Sequence, residues 1–216
     1  MSAVTHPSTE YPTRRVPVQE RSRARFEAIL EAAAAVAVEQ GVDALNTRSI
    51  AEHADLSVSS IYQYFASVDE VVFELIARDM EEMDQQFAAD LGALPEITLA
   101  NVVETVMRSF VTVYRRRPAF VEIWLRGRTT AAIRTYGREH HVRIAAQLRE
   151  FLDALGLLVP DAPQEAGVMA VEIGDRCFQL AFEHQLEGDE FLIAEGIKLL
   201  TGYLELYAAE RGLPHA

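Results

Sequence analysis

The chain has 216 residues, half of them apolar, and a formal net charge of −13. That length allows one large or two small domains with a sizeable core, and the acid excess excludes a protein coated in nucleic acid. A single cysteine, Cys177, excludes an intrachain disulfide and fits a reducing, cytoplasmic setting. No run of 18 apolar residues occurs and the N-terminus carries no apolar signal core, so neither a membrane span nor export is expected. The charge is uneven. Residues 1–65 hold six arginines against eight acids, whereas residues 66–216 hold 14 basic against 25 acidic side chains. Arginine outnumbers lysine 19 to 1, which reads as genome composition rather than mechanism.

Residues 1–21 are polar, with Pro7, Pro12 and Pro17 and no apolar period. They read as a disordered basic arm. Arg14, Arg15, Arg21, Arg23 and Arg25 suit either a phosphate-touching arm or a solvated tail. A first helix is predicted from about Ser22 to Gln40. Phe26, Ile29, Leu30, Ala33, Val36 and Ala37 follow the helical period, and Gly41 stops it.

The most informative stretch runs from Thr47 to Phe65, TRSIAEHADLSVSSIYQYF. It reads as two short helices around a tight turn. Asn46 or Thr47 caps the first, about Arg48 to Ala54, and Ser57 caps the second, about Val58 to Tyr64. Ile50, Ala51, Ala54, Ile61 and Phe65 face inward, with Leu56 as the plug between the helices. The other face carries Ser59, Ser60, Tyr62, Gln63 and Tyr64. Hydroxyls, an amide and two phenols without an acid suit a phosphate-lined groove. This is a helix-turn-helix pattern, whose second helix enters the DNA major groove. Gln63 and Ser60 are the candidates for base edges. Thr47, Arg48, Ser57, Tyr62 and Tyr64 suit phosphates, and Val58 suits a thymine methyl.

On Thr47, Ile50-Ala51, Leu56-Ser57 and Ile61-Tyr62-x-x-Phe65, the chain resembles a TetR-type transcriptional regulator over about residues 25 to 75. Two positions depart from that pattern. Asp55 stands where the family has a turn glycine, and Asp tolerates left-handed turns. Val68 stands where the family has a phosphate-touching lysine, which should make the salt dependence of DNA binding shallower by about one unit.

The rest reads as helical. A rod of roughly 24 residues, about 36 Å, begins near Ser67 or Val68 and ends near Leu91-Gly92. The resemblance implies that it links the DNA-reading unit to a ligand-binding core. Residues 97–114 are rich in β-branched side chains, yet Leu99, Val102, Val103, Val106, Phe110 and Val113 keep a helical spacing. Arg115, Arg116 and Arg117 then sit at a helix C-terminus, where cations are favoured, and read as that rather than as a second DNA patch. Pro118 to Arg126 reads as a short helix with Phe120, Trp124 and Leu125. A helix over about Thr129 to Leu155 follows, with His140 and His141 as hydrogen-bonded histidines rather than a metal pair. The next helix, about Pro163 to Leu186, carries a small-residue stripe: Gly167, Ala170, Gly174, Cys177 and Ala181. The last, about Glu190 to Glu210, places Ile193, Ile197, Leu200, Leu204 and Tyr207 on one seam. Leu192, Leu199, Tyr203 and Leu206 form a second row.

The expectation is an all-α chain of about nine helices. Residues 22–67 form the helix-turn-helix domain, and residues 68–216 form a ligand-binding and dimerisation domain. The resemblance implies a cavity for a small effector; Met83, Phe87, Met107, Phe110, Tyr114, Phe120, Trp124 and Phe178 are its candidates. Arg128 is a weaker candidate for an anionic ligand. It also implies a dimer built from the last two helices, with Gly174, Ala181, Ile193, Ile197, Leu200, Leu204 and Tyr207 at the interface. No catalytic, metal or cofactor motif occurs. The reading is a homodimeric repressor that binds double-stranded DNA at a palindromic operator and is released by a small, largely apolar effector. An activator remains open. So does an all-α binding protein or enzyme with a vestigial helix-turn-helix, supported by Asp55, Val68 and the acidic balance.

Overall fold

A computed structural model describes residues 20–127 and 130–209. The expected basic arm therefore lies, but for its last two residues, outside the described part, as does Arg128. The described residues form helices α1 (Glu20–Gln40), α2 (Thr47–His53), α3 (Val58–Tyr62), α4 (Val68–Gly92) and α5 (Leu99–Arg116). They continue with α6 (Pro118–Phe120), a π-helical turn (Val121–Arg126), α7 (Ala131–Ala154), α8 (Gln164–Ala181) and α9 (Glu190–Glu205). Among the described residues no strand forms beyond an isolated bridge between Leu158 and Ala208.

Helix starts follow local chemistry. Ser67 accepts from the Glu70 amide, Thr98 from Asn101, Thr130 from Ile133 and Asp189 from Phe191 and Leu192, each satisfying a donor that the first turn leaves free. Helix ends obey tertiary demands. The helix expected to reach Leu186 stops at Ala181 because Phe182 turns fully into the core. Its freed carbonyl accepts from Arg126 Nε at 2.6 Å. The last helix, expected to reach Glu210, stops at Glu205. There the backbone pairs with the loop before α8: Val159 donates to Tyr207 O and Ala209 to Leu157 O.

Two cores meet at a seam. In the first, Phe26, Ile29, Ala33, Ile50, Ile61 and Phe65 are buried between α1, α2 and α3, with the Phe26 and Phe65 rings stacked at 4.8 Å. In the second, α4, α5, α6, α8 and α9 bury Met80, Met107, Phe120, Phe178 and Ile193. Ala37 of α1 belongs to the second core, while Leu45, Val68 and Leu75 pack on both. The lysine-to-valine departure at Val68 thus places an apolar side chain on the seam. Arg78 of α4 clamps Glu27 of α1 through two bonds of 2.6 and 3.1 Å.

The stripe of small residues admits a helix of the same protomer. A methyl group on Gly174 would touch Leu200, and one on Gly196 would sit 3.0 Å from Cys177 Cβ. The arginine run is spent on acids: Arg115 on Glu187 and Glu190, Arg116 on Glu82, and Arg117 on Glu82 and Asp79.

Asp79 lies on the seam, in an open cleft with Ala34, Ala35 and Val38 of α1 and Arg117, Pro118 and Ala119. Burial is the largest influence on its carboxyl and lifts the pKa from 3.8 to about 7, although Arg117, 3.6 Å away, pulls it down. The folded pKa lies above that of the unfolded chain. The stability this provides is therefore complete below about pH 4 and is lost as pH rises towards about 7. Asp79→Asn is expected to melt higher than the parent near pH 8, by up to a few kcal/mol in stability, and to match it near pH 4. Thermal melts at both pH values check this; equal melting temperatures near pH 8 would contradict it.

Candidate DNA-reading head and effector cavity

The head is held together by its caps. Asn46 accepts from the amides of Arg48 and Ser49, both at 3.0 Å, and the Asn46 amide donates to Ser49 Oγ at 3.1 Å. This reciprocal capping box fixes where α2 begins. Asp55 has φ of 51°, and the Leu56 amide next to it donates to Ala51 O at 2.9 Å. Asp55 thus adopts the left-handed conformation that a turn glycine would supply. Ser57 caps α3 by accepting from the Ser60 amide at 3.2 Å, and its hydroxyl lies 2.8 Å from those of Ser59 and Ser60.

These contacts place most of the expected DNA-facing residues outward. Arg48, Ser57, Val58, Ser59, Tyr62 and Gln63 are exposed, and Thr47 and Ser60 half-buried. Tyr62, at 53% exposure, faces away from the core. Tyr64 differs. Its ring meets the edge of Phe26 at 6.4 Å and its hydroxyl accepts from Ser22 at 3.2 Å, so it ties the end of the motif to the start of α1. α3 itself ends at Tyr62, two residues short of the expected Tyr64, and Gln63 is its C-cap.

The second site is a cavity of about 110 Å³ among α4, α5, α6, α7, α8 and α9. Met83, Met107, Phe110, Tyr114, Phe120, Trp124 and Phe178 all line it. Phe87 does not: it is buried with Leu91 and Leu99 behind Phe110, 6.1 Å from that ring. It lies near the far end of α4, past the wall formed by Met80 and Met83.

The polar groups of the cavity were the part the sequence concealed. Trp124 Nε1 donates to Asp175 Oδ1 at 3.0 Å, and Gln179 Nε2 donates to Asp175 Oδ2 at 2.8 Å. His140 bonds Asp84 at 2.9 Å and His141 bonds Glu172 at 3.0 Å. Both histidines line the cavity, and His141 meets the Trp124 ring edge-on. The hydrogen-bonded role expected for them holds, with distinct partners for the two rings. Trp124 is seated against Gly137, where a methyl group would come within 2.0 Å of the indole. Asp175 carried no sequence signal, because one acid among 33 acidic residues stands out only once the indole is seen on it. Among the described residues no cluster of metal-ligating side chains occurs.

The expected dimer row needs correction. Gly174, Ala181, Ile193 and Leu200 are buried inside the protomer, and Ile197, Leu204 and Tyr207 are half-buried. Gly174, Leu200, Leu204 and Tyr207 line the cavity itself. The 4–3 seam of α9 is filled by α5 and α8 of the same chain. The open apolar face is the neighbouring one, with Leu199 56% and Leu206 76% exposed, beside Met169 and Leu180 on α8.

Comparison with known proteins agrees with this arrangement. The profile of the bacterial regulatory proteins of the tetR family matches residues 29–75, and that of the tetracyclin repressor-like C-terminal domain matches residues 98–204. The chain belongs to the TetR family. It is 30% identical over 125 residues to the HTH-type transcriptional repressor KstR of Mycolicibacterium smegmatis, a match covering 57% of this chain and 59% of that protein. It is 28% identical over 102 residues to KstR of Rhodococcus jostii, covering 47% and 46%. The chain thus spans about half the length of the curated relatives it matches. A crystal structure of a TetR-family regulator from Streptomyces coelicolor superposes with a TM-score of 0.68 at 28% identity, covering 85% of this chain and 99% of that one. A TetR-family structure from Syntrophomonas wolfei also reaches 0.68, at 14% identity, and shares the fold.

The strain at Asp55 gives a direct check on the turn. Asp55→Gly is expected to leave the melting temperature unchanged or raise it. Asp55→Val should cost about 1–2 kcal/mol, because a β-branched residue is poorly tolerated at positive φ. Equal stability of the two variants in thermal melts would refute the left-handed turn.

Proposed function

We propose that this TetR-family protein is a homodimeric, ligand-responsive repressor that reads a palindromic operator. On this reading residues 22–67 bind DNA, residues 68–216 bind effector and dimerise, and the protein acts in the cytoplasm without catalysis. The observation that carries it is the pairing of an outward, acid-free reading helix with an apolar cavity in one chain. α3 offers Val58, Ser59, Tyr62 and Gln63 to solvent, at the size and polarity that a major groove accepts. The cavity suits a small, largely apolar effector.

Dimerisation uses the open face of α8 and α9. Met169, Arg176 and Leu180 are exposed on α8, and Leu199 and Leu206 are exposed on α9 and at its C-cap, while Ile173 and Leu192 are half-buried against the core. An exposed apolar face of this kind favours a second copy of the chain. Two heads on a two-fold axis then meet half-sites about one helical turn apart. Effector binding releases the operator by favouring one spacing of the heads over another, and only by its differential affinity for the two states. The vestigial reading loses its support at Asp55, whose backbone does what the family glycine does, and at Val68, which packs the seam.

Selection of bound duplexes from a random pool at fixed, moderate salt is expected to enrich one palindrome; failure to enrich any sequence sinks the proposal. Gln63→Ala should relax preference at one base pair per half-site, losing about tenfold in discrimination. Arg48→Ala should weaken all sequences alike and make the salt slope of a dimer shallower by about two units, one per protomer.

A further inference from the structure

The polar end of the cavity restricts the effector further than its apolar walls do. We infer that the cavity takes a neutral, largely apolar molecule bearing a hydroxyl group, which accepts a hydrogen bond from Tyr114 and donates one to Asp175. This rests on the reading of the cavity as the effector site.

Tyr114 is 2% exposed and lines the cavity between Phe120, Phe178 and Phe182, with ring centroids 5.3 Å from each. Its hydroxyl makes no hydrogen bond among the described residues, where Arg126 Nη2 is the one sealed polar side-chain atom without a partner; the phenol oxygen is thus open to the cavity it lines. Burial raises its pKa well above the usual value, with the Asp175 charge acting in the same direction. It is therefore a neutral donor at ordinary pH. Asp175 accepts from Trp124 and Gln179, one donor on each oxygen, and each oxygen keeps a lone pair. Burial is the largest influence on this carboxyl and raises its pKa, while His141 and the two donors pull it down.

The site thus offers one free O–H and one free acceptor. A hydroxyl group meets both, since it accepts and donates at one atom. An ammonium would satisfy Asp175 but leave the Tyr114 proton without an acceptor. A carboxylate would accept from Tyr114 but face the Asp175 charge in a medium where repulsion is strong. The other basic side chains on the wall are engaged elsewhere: His140 with Asp84, His141 with Glu172, and Arg149 with Asp153 and the Ala162 carbonyl.

The test uses four small probes of one shape with the whole protein: 2,2-dimethyl-1-propanol, 2,2-dimethylbutane, 2,2-dimethylpropanoate and 2,2-dimethylpropylammonium. Trp124 is the sole tryptophan and lies on the cavity wall, so its emission reports binding at this site. The alcohol is expected to bind at least fivefold more tightly than the other three, and Tyr114→Phe to remove that advantage, a loss of one hydrogen bond. Gly137→Ala, which crowds Trp124, should weaken all four together and so separates damage to the cavity from loss of the phenol. Tightest binding by the ammonium would make this a cation site and overturn the inference, as would tightest binding by the carboxylate or equal binding of all four. If no probe perturbs Trp124, the effector-cavity reading falls along with the inference. If the probes bind without preferring the alcohol, the inference alone falls.

Discussion

The apolar seam between α1 and the helices beneath it is the constraint on which the rest depends. A three-helix unit of about 45 residues is marginal on its own. Here α1 extends its last turns past its own core, so that Ala37 packs with Phe120 and Val121 while Val68 and Leu75 of α4 serve both cores. The Arg78–Glu27 fork pins the same surface. Because both groups of that pair are partly open to water, the pair sets the register of the two helices more than it stabilises them. Asp79 is buried in this seam at a cost, beside an arginine that offsets only part of it.

The seam explains how one segment can serve two ends of the molecule. Phe120 at the end of α6 and Trp124 in the turn after it line the cavity, and α6 and that turn both pack on α1. The turn is π-helical from Val121 to Arg126, a geometry with poorer packing of the ladder that proteins retain mostly where it serves a function. Its anchors are external: Trp124 on Asp175, Arg126 on the Phe182 carbonyl, and the close seat of the indole on Gly137. Anything that displaces the indole therefore bears on a segment that touches the head directly, with no long chain of intermediates.

Charge is distributed to the same end. The arginines that end α5 are spent on acids of α4 and of the loop and helix that follow α8, which ties α5 to its neighbours in the core. On the proposed reading, few exposed cations on α2 and α3 keep general attraction to DNA weak, which raises the relative weight of base contacts.

Much of this was legible in the chain. Caps and turn residues are local, so Asn46, Ser57 and Ser67 announced their helices, and the helix-turn-helix could be read residue by residue. The all-α class followed from apolar periodicity, and seven of the eight residues that the family resemblance suggested for the cavity line it. Periodicity reports that a face is buried and is silent on what buries it. That is why the α9 row from Ile193 to Tyr207 was expected at a dimer interface when it faces its own α5 and α8, and why Phe87, on the same stripe as Met83, lies outside the cavity. Helix ends at Ala181 and Glu205 were likewise set by Phe182 and by the Leu158–Ala208 bridge, contacts between distant residues. The hydrogen-bond partners of Trp124, His140 and His141 belong to the same class. Sequence by itself determined the elements, because their chemistry lies within a few neighbouring residues. Only the tertiary structure decided which faces meet, because a helix of one sequence can present its apolar side to its own chain or to another at similar free energy.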